Sequence, residues 1–257
     1  MGFATVVVVG GKDEMKELPK YAVSWFSAGV SSAVATKLVA DKLDEIIYTH
    51  IDDQHPDTLR FIKDCEQWFG RKITILQSED KGVEQAIKAN GKYINGPTGA
   101  PCTKRLKRWV RKDWEREKLS KYDLTYVWGM DAGEIDRVSG IELAMPEFHH
   151  LFPLIERQIH KEEAHQILRA SGIKRPAMYD LGYHNNNCVG CIKGGMGYWN
   201  KIRRDFPDVF EARAKLERWA GASCINGVFL DELDPKRGRH EAPISGECGI
   251  LCGLQAI

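Results

Sequence analysis

The sequence predicts an α/β protein: a doubly wound parallel sheet followed by a cysteine-rich helical appendage. Three observations lead there. Short β-branched runs alternate with amphipathic stretches through the first 160 residues; a serine- and glycine-bearing loop joins one such run to a helix; and five of the seven cysteines come after residue 185, where the alternation has stopped. Strand–helix repetition builds a parallel sheet with both faces covered, and such sheets take ligands beyond the carboxyl ends of their strands.

Thr5–Val9 and Tyr21–Trp25 read as strands. Val30–Lys42 reads as a helix, with Val30, Ala33, Val34, Leu38 and Val39 on one side. Glu45–Ile51 is a strand, Pro56–Phe69 a helix closed by Gly70, Lys72–Leu76 a strand, Gly82–Ala89 a helix and Thr125–Trp128 a further strand. The loops after Trp25, Ile51 and Trp128 are therefore expected to converge on one site. From about Lys161 the rhythm changes: Glu162–Ser171 reads as a helix, Tyr198–Ala220 as one long charged helix, and the rest is rich in Gly, Cys and Asp. With no internal repeat and no low-complexity linker, the expected division is an α/β domain over 1–160 and a cysteine-rich appendage over 161–257 packed on the same domain.

Composition narrows the function classes. At 257 residues, 43% hydrophobic and 28% charged, the chain can bury one large core. A formal net charge of +1 gives no global polyanion-binding character. The apolar runs are far too short to span a bilayer and no secretory leader is visible, so the expectation is a cytoplasmic protein without a membrane partner. Seven cysteines, an odd number in such a chain, do not read as a disulfide scaffold. Cys65, on the apolar face of Pro56–Phe69, reads as core. Lys104, Arg105, Lys107, Arg108, Arg111 and Lys112, interleaved with Trp109, form either a solvated helix face or a surface for phosphates or nucleic acid.

Two glycine-bearing loops compete for a phosphate. Val9-Gly10-Gly11-Lys12-Asp13-Glu14 follows a strand, but Pro19 cuts off the helix it would open, so it reads as a turn. Ser27-Ala28-Gly29-Val30-Ser31-Ser32 follows a strand and opens a long helix. Amide groups at that helix start, the helix dipole and small hydroxyl side chains suit a phosphate, although any strand-to-helix turn favours Ser and Gly.

Ser27–Ser32 resembles the Ser-Gly-Gly-X-Asp-Ser loop of PP-loop ATP pyrophosphatases, with Ala28 for a glycine and Ser31 for the aspartate. Alanine is sterically mild there if it keeps negative φ. Loss of the aspartate removes a carboxylate that helps to organise metal and phosphates, which weakens ATP cleavage more than nucleotide binding. Three further segments resemble the same superfamily in the same order. Ile51-Asp52-Asp53-Gln54-His55-Pro56-Asp57-Thr58-Leu59 is similar to its strand-end Asp-Thr-Gly-X-X-Pro-Glu-Thr segment. Gly129-Met130-Asp131-Ala132-Gly133-Glu134-Ile135-Asp136-Arg137 is similar to its Gly-X-Arg-X-X-Glu-X-X-Arg loop, with Asp131 where arginine is usual. Phe152-Pro153-Leu154-Ile155 is similar to its Pro-Leu-Ile segment. Together they span about Tyr21 to Leu168 and resemble most the PAPS reductase family, within the adenine nucleotide alpha hydrolase fold. That resemblance implies ATP or PAPS, with Mg2+ as a companion ion. It implies nucleotide contacts at Ser27, Ala28, Gly29, Val30, Ser31, Ser32, Asp52, Lys104, Arg105, Gly129 and Glu134, and catalytic roles for Asp53 and Arg137.

Cys188-Val189-Gly190-Cys191 places two thiols on one turn of an Asn- and Gly-rich loop. Cys102 opens the basic helix, where the helix end and neighbouring cations favour a thiolate; it also aligns with a cysteine before the Lys/Arg pair in PAPS-reductase-like proteins. Cys224, Cys248 and Cys252 are candidates for a fourth ligand. Three readings stay open: a 4Fe-4S cluster on Cys102, Cys188, Cys191 and a later cysteine such as Cys224; zinc on the same ligands; or unligated thiols. The family resemblance tilts toward iron–sulfur. Glu247-Cys248-Gly249-Ile250-Leu251 resembles the Glu-Cys-Gly-Leu-His tail whose cysteine is the nucleophile of sulfonucleotide reductases, with Leu251 in place of the histidine.

The resemblance therefore implies an enzyme of sulfur chemistry. One form is ATP-linked sulfur transfer to a DNA or tRNA acceptor, with a cysteine desulfurase or a reductant protein as partner. A second is sulfonucleotide reduction through Cys248. A reading from another class is a zinc-stabilised nucleotide- or nucleic-acid-binding module without turnover. Homo-oligomerisation stays open.

Overall fold

The computed structural model describes residues 18–96 and 99–239. Thr5–Val9, the 9–14 loop, and Glu247, Cys248 and Cys252 lie outside the described residues.

The chain forms, in order, β1 (Lys20–Trp25), α1 (Val30–Val39) with a 3-10 turn at Ala40–Lys42, β2 (Glu45–His50), α2 (Asp57–Phe69), β3 (Thr74–Gln77) and α3 (Val83–Lys88). There follow α4 (Pro101–Thr103), a π-helical stretch at Lys104–Arg108 and α5 (Trp109–Lys118). Then come β4 (Asp123–Val127), a 3-10 turn at Ala132–Arg137, α6 (Val138–Ala144), β5 (His149–Leu151) and α7 (Pro153–Glu156). The remaining elements are α8 (Lys161–Ala170), α9 (Ala177–Asp180), α10 (Met196–Asp205), α11 (Pro207–Ala220) and a 3-10 turn at Leu230–Glu232.

The five strands are all parallel, in the order β3-β2-β1-β4-β5. The chain moves outward from β1 through β2 to β3, then returns to lay β4 on the other side of β1. β1 and β4 therefore flank the point where the winding reverses, the position at which such sheets open a crevice for ligands.

Alternation along the strands splits the core between the two faces. Val23 and Trp25 of β1 join Ile47, Leu124, Tyr126, Trp114 and Phe148 on one face. Phe26, Ile46 and Tyr48 join Val34, Phe61, Phe69 and Leu168 on the other. Cys65 lies in this second core with 0% exposure, and burial pushes its thiol up. Two smaller clusters carry the later part of the chain: one around Ile51, Ile87, Leu106 and Cys188, the other around Tyr183, Cys191, Tyr198, Trp199 and Leu230.

The long helix expected over Tyr198–Ala220 is two helices. Pro207 has no N–H and pushes the preceding residue out of the helical region; Phe206 sits at φ −141°, ψ 66°, and Pro207 opens α11 at its first position. β5, which the periodicity does not reveal, is a three-residue edge strand, His149–Leu151. Among the described residues no helix is long and apolar enough to cross a membrane.

The basic run is neither one solvated face nor one cationic surface. Arg111 is buried and pairs with Glu115 at 3.1 Å, which also accepts the Tyr126 hydroxyl at 2.6 Å. Lys107 is buried, while Lys104 and Lys112 are exposed. Arg105 is bound in a fork to Asp80, with bonds of 2.5 and 3.2 Å, and lies over the Trp109 ring.

A candidate nucleotide and thiol site at the strand ends

The loop after β1 turns sharply at Ala28, whose φ is 59° and whose side chain is fully buried. The condition for a mild Ala-for-Gly exchange, negative φ, is not met. An L-residue in the left-handed region costs about 1–2 kcal/mol, so the loop holds strain that its neighbours must oppose. Gly29 caps α1 in an extended conformation with no side chain of its own to cap it, and the Val30 N–H is taken by the Tyr179 hydroxyl at 3.2 Å. The Ser27 N–H donates to Ser32 Oγ at 2.9 Å, and the Gly29 N–H reaches Ser27 Oγ at 3.4 Å. Ser31 is 1% exposed, and its Oγ is buried without a protein partner. A helix start and a buried hydroxyl lacking a partner suit an anionic oxygen.

The loop after β4 meets this one directly. A Cβ placed on Gly129 would stand 2.4 Å from the Ser32 Cα, so only glycine lets the two loops approach. Beyond it, Asp131 accepts the Gly133 N–H at 2.9 Å, and Glu134 reaches back to the Asp131 N–H at 3.4 Å, a reciprocal cap on the 3-10 turn. Asp131, found where arginine is usual, thus has a structural role. Glu134 also pairs with Arg137.

The loop after β2 joins this strand end to the cysteine loop. Asp52, largely exposed, accepts from Gln77 at 2.6 Å. Asp53 Oδ2 accepts the Val83 N–H at 2.6 Å, and its other oxygen pairs with Arg213. Its carbonyl accepts the Val189 N–H at 2.8 Å, and Gln54 bridges Cys188 in antiparallel fashion. The Cys188–Cys191 turn therefore lies against the carboxyl end of β2. Arg105 is tied to Asp80 in the loop after the edge strand β3, a loop that also receives the Asp52 N–H on the Lys81 carbonyl at 3.1 Å, and Lys104 lies over the Trp109 ring.

Cys102, Cys188, Cys191 and Cys224 gather in the two adjoining later clusters. Burial pushes the Cys188 thiol up; Lys107 opposes this, while Cys191, Asp53 and Cys102 add to it. Burial likewise raises Cys224, with Glu217 adding, Arg213 opposing and Cys191 adding. Each of the four thiols thus feels at least one other. Gly190, at φ 69°, makes the turn between Cys188 and Cys191, and a Cβ there would lie 2.6 Å from Val209. Tyr198 fastens it: its hydroxyl accepts the Cys191 N–H at 2.9 Å and donates to the Cys188 carbonyl at 3.2 Å. Arg213, 4% exposed, donates to the Gly190 carbonyl at 3.3 Å. Thr103, next to Cys102, keeps a buried Oγ1 without a partner. Among the described residues no group of three or more His, Cys, Asp or Glu side chains is arranged to hold one metal ion. The 4Fe-4S or zinc centre expected on Cys102, Cys188, Cys191 and Cys224 is thus not preformed among these residues, although thiols are the donor type that either group takes.

Several residues at this site escape sequence reasoning. Tyr179 accepts the Val30 N–H, Asn186 donates to the Ala28 carbonyl, and Arg213 brings positive charge to Cys224, as Lys107 of the basic run does to Cys188. The Asn-rich stretch before Cys188 was the one available signal; Asn185, Asn186 and Asn187 are all buried.

An all-parallel sheet with a serine- and glycine-bearing loop at its winding reversal defines an α/β domain of the doubly wound class. Residues 21–194 match the phosphoadenosine phosphosulfate reductase domain, and the chain belongs to that family. Membership places it among domains of nucleotide-related sulfur chemistry. It is also similar to an uncharacterised protein of Methanocaldococcus jannaschii, 23% identical over 214 residues, covering 78% of this chain and 42% of that relative. The matched region is thus less than half of that relative's length.

Proposed function

We propose that the chain binds an adenine nucleotide on the Ser27–Ser32 loop and uses it in ATP-linked sulfur transfer to a nucleic-acid acceptor. In this reading an acceptor oxygen attacks the α-phosphate and pyrophosphate leaves; the terminal sulfur of a donor protein's persulfide then displaces AMP, and a reductant thiol cleaves the S–S bond so that the sulfur stays on the acceptor. Asp53 and Arg137 are the proposed catalytic groups, with Asp52, Gly129 and Glu134 lining the nucleotide. Cys102, Cys188, Cys191 and Cys224 would hold a 4Fe-4S cluster, or zinc in the alternative. Such a cluster supplies electron-transfer and sulfur-binding capacity beside the nucleotide. The observation that carries this reading is the junction at Asp53, which ties the Cys188–Cys191 turn to the strand end.

A second reading, sulfonucleotide reduction, is favoured by Glu247-Cys248-Gly249. There the Cys248 thiolate attacks the sulfur of PAPS, the nucleotide leaves, and a second thiol releases sulfite. Anaerobic incubation with ATP plus DNA or tRNA, and separately with PAPS, distinguishes the readings by pyrophosphate and sulfite. The expected result is acceptor-dependent pyrophosphate that survives Cys248→Ser, and metal lost in the Cys188→Ser, Cys191→Ser double variant. Sulfite that disappears with Cys248→Ser would turn the assignment to the reductase. Neither product would leave a binding module.

A further inference from the structure

The strained turn at Ala28 is gripped on both sides by residues far along the chain. Asn186 Nδ2 donates to the Ala28 carbonyl at 2.9 Å and to Thr58 Oγ1 at 3.1 Å, so α2 fixes the amide that holds the loop. On the other side of Gly29, the Val30 N–H donates to the Tyr179 hydroxyl at 3.2 Å. Tyr179 is itself packed edge-on against His165, with ring centroids 4.8 Å apart. Asn186 and Tyr179 are 5% and 6% exposed.

The peptide geometry gives this grip a consequence. The peptide linking Ala28 to Gly29 is planar and trans, so its carbonyl and its N–H point in opposite directions. Holding the Ala28 carbonyl on Asn186 therefore aims the Gly29 N–H away from Asn186, toward the Ser27 side of the loop, where its hydrogen bond to Ser27 Oγ is long at 3.4 Å. Tyr179 meanwhile takes the Val30 amide, which removes it from the set a phosphate can use.

We propose that Asn186 and Tyr179 are positioning residues that hold Ala28 in its left-handed turn and so set the nucleotide affinity of the Ser27–Ser32 loop. The inference rests on the nucleotide reading of that loop. A non-glycine residue in this conformation persists only where its surroundings impose it; with glycine the conformation needs no imposing. Loss of the grip should therefore matter with Ala28 and matter little once Ala28 is replaced by glycine.

The test is a double-mutant cycle. Asn186→Ala and Tyr179→Phe are made in the parent and in an Ala28→Gly background, and binding of ATP, AMP and PAPS is measured by calorimetry with urea stability alongside. Tyr179→Phe removes only a hydroxyl and keeps the test open if Asn186→Ala does not fold. The expected result is a loss of about tenfold or more in affinity in the parent background and much less beside Ala28→Gly. Equal losses in both backgrounds, or none, would overturn the inference. A parent that binds none of the three nucleotides would overturn the nucleotide reading and the affinity claim with it. That failure is separate from failure of the grip itself, which shows as additive urea stabilities across the cycle.

Discussion

Ala28 and Gly129 show how tightly the site is specified by single residues. Ala28 occupies a left-handed position that glycine takes without cost, and Gly129 occupies a close approach that nothing larger fits. The motif resemblance identified both positions but not their geometry, because φ at Ala28 is imposed by Asn186 and Tyr179, about 150 residues away. For the same reason the buried Arg213 was invisible: in sequence it sits within a charged helix, and only the fold brings it to Asp53. Gly129→Ala forces a methyl into the Ser32 backbone, where no side chain can swing aside. Overpacking of this kind costs about 1–3 kcal/mol. Urea denaturation should show that loss together with weaker nucleotide binding, and an unchanged midpoint would mean that the two loops separate freely.

At the scale of elements, α2 joins the sheet to the later part of the chain through its first turn. Asp57 receives Arg60 at 2.6 and 2.9 Å and the Ala177 N–H at 2.8 Å, while Arg60 also donates to the carbonyls of Lys174 and Arg175. The bond from Arg60 holds the Asp57 carboxyl below its usual range, helped by the Ala177 amide against the opposing effect of burial. A carboxylate with a depressed folded pKa stabilises above its unfolded value, about 3.9, and loses that contribution as pH falls through the folded value. Asp57→Asn should therefore cost about 1–2 kcal/mol at pH 7, the lower part of the range for a charge-assisted bond because the pair is partly exposed, with the gap to the parent closing below about pH 4. Urea midpoints across pH measure it; a gap that persists undiminished at pH 2–3 would show that the charge is irrelevant. The elements most legible in the sequence were those with long periodic patterns, α1 and α2 among them. β5 was not, because His149-His150-Leu151 has too few residues to show a period, and the break at Pro207 was hidden by helical spacing on both sides of it.

For the whole molecule, the strand order matters more than any one motif. Laying β4 beside β1 brings two loops separated by about a hundred residues into contact at Gly129 and Ser32, and the return of the chain through Asn186 and Cys188 closes the site from the far side. The convergence of the loops after β1 and β4 was legible, because strand–helix alternation dictates it. The dependence of the phosphate loop on the later part of the chain was not, since it rests on side-chain hydrogen bonds that leave no periodic trace. The central claim is that an adenine nucleotide binds with its phosphates on Ser27–Ser32. Gly29→Val tests it most directly: the backbone there, φ −92° and ψ 166°, is open to any residue, so the substitution adds bulk at the buried helix start without demanding a forbidden backbone conformation. Calorimetry with ATP, AMP and PAPS should find binding in the parent, and affinity reduced by about tenfold or more, about 1.4 kcal/mol, in a variant whose urea transition shows it folded under the conditions of the binding measurement. A Gly29→Val protein that binds all three nucleotides as well as the parent does would contradict it.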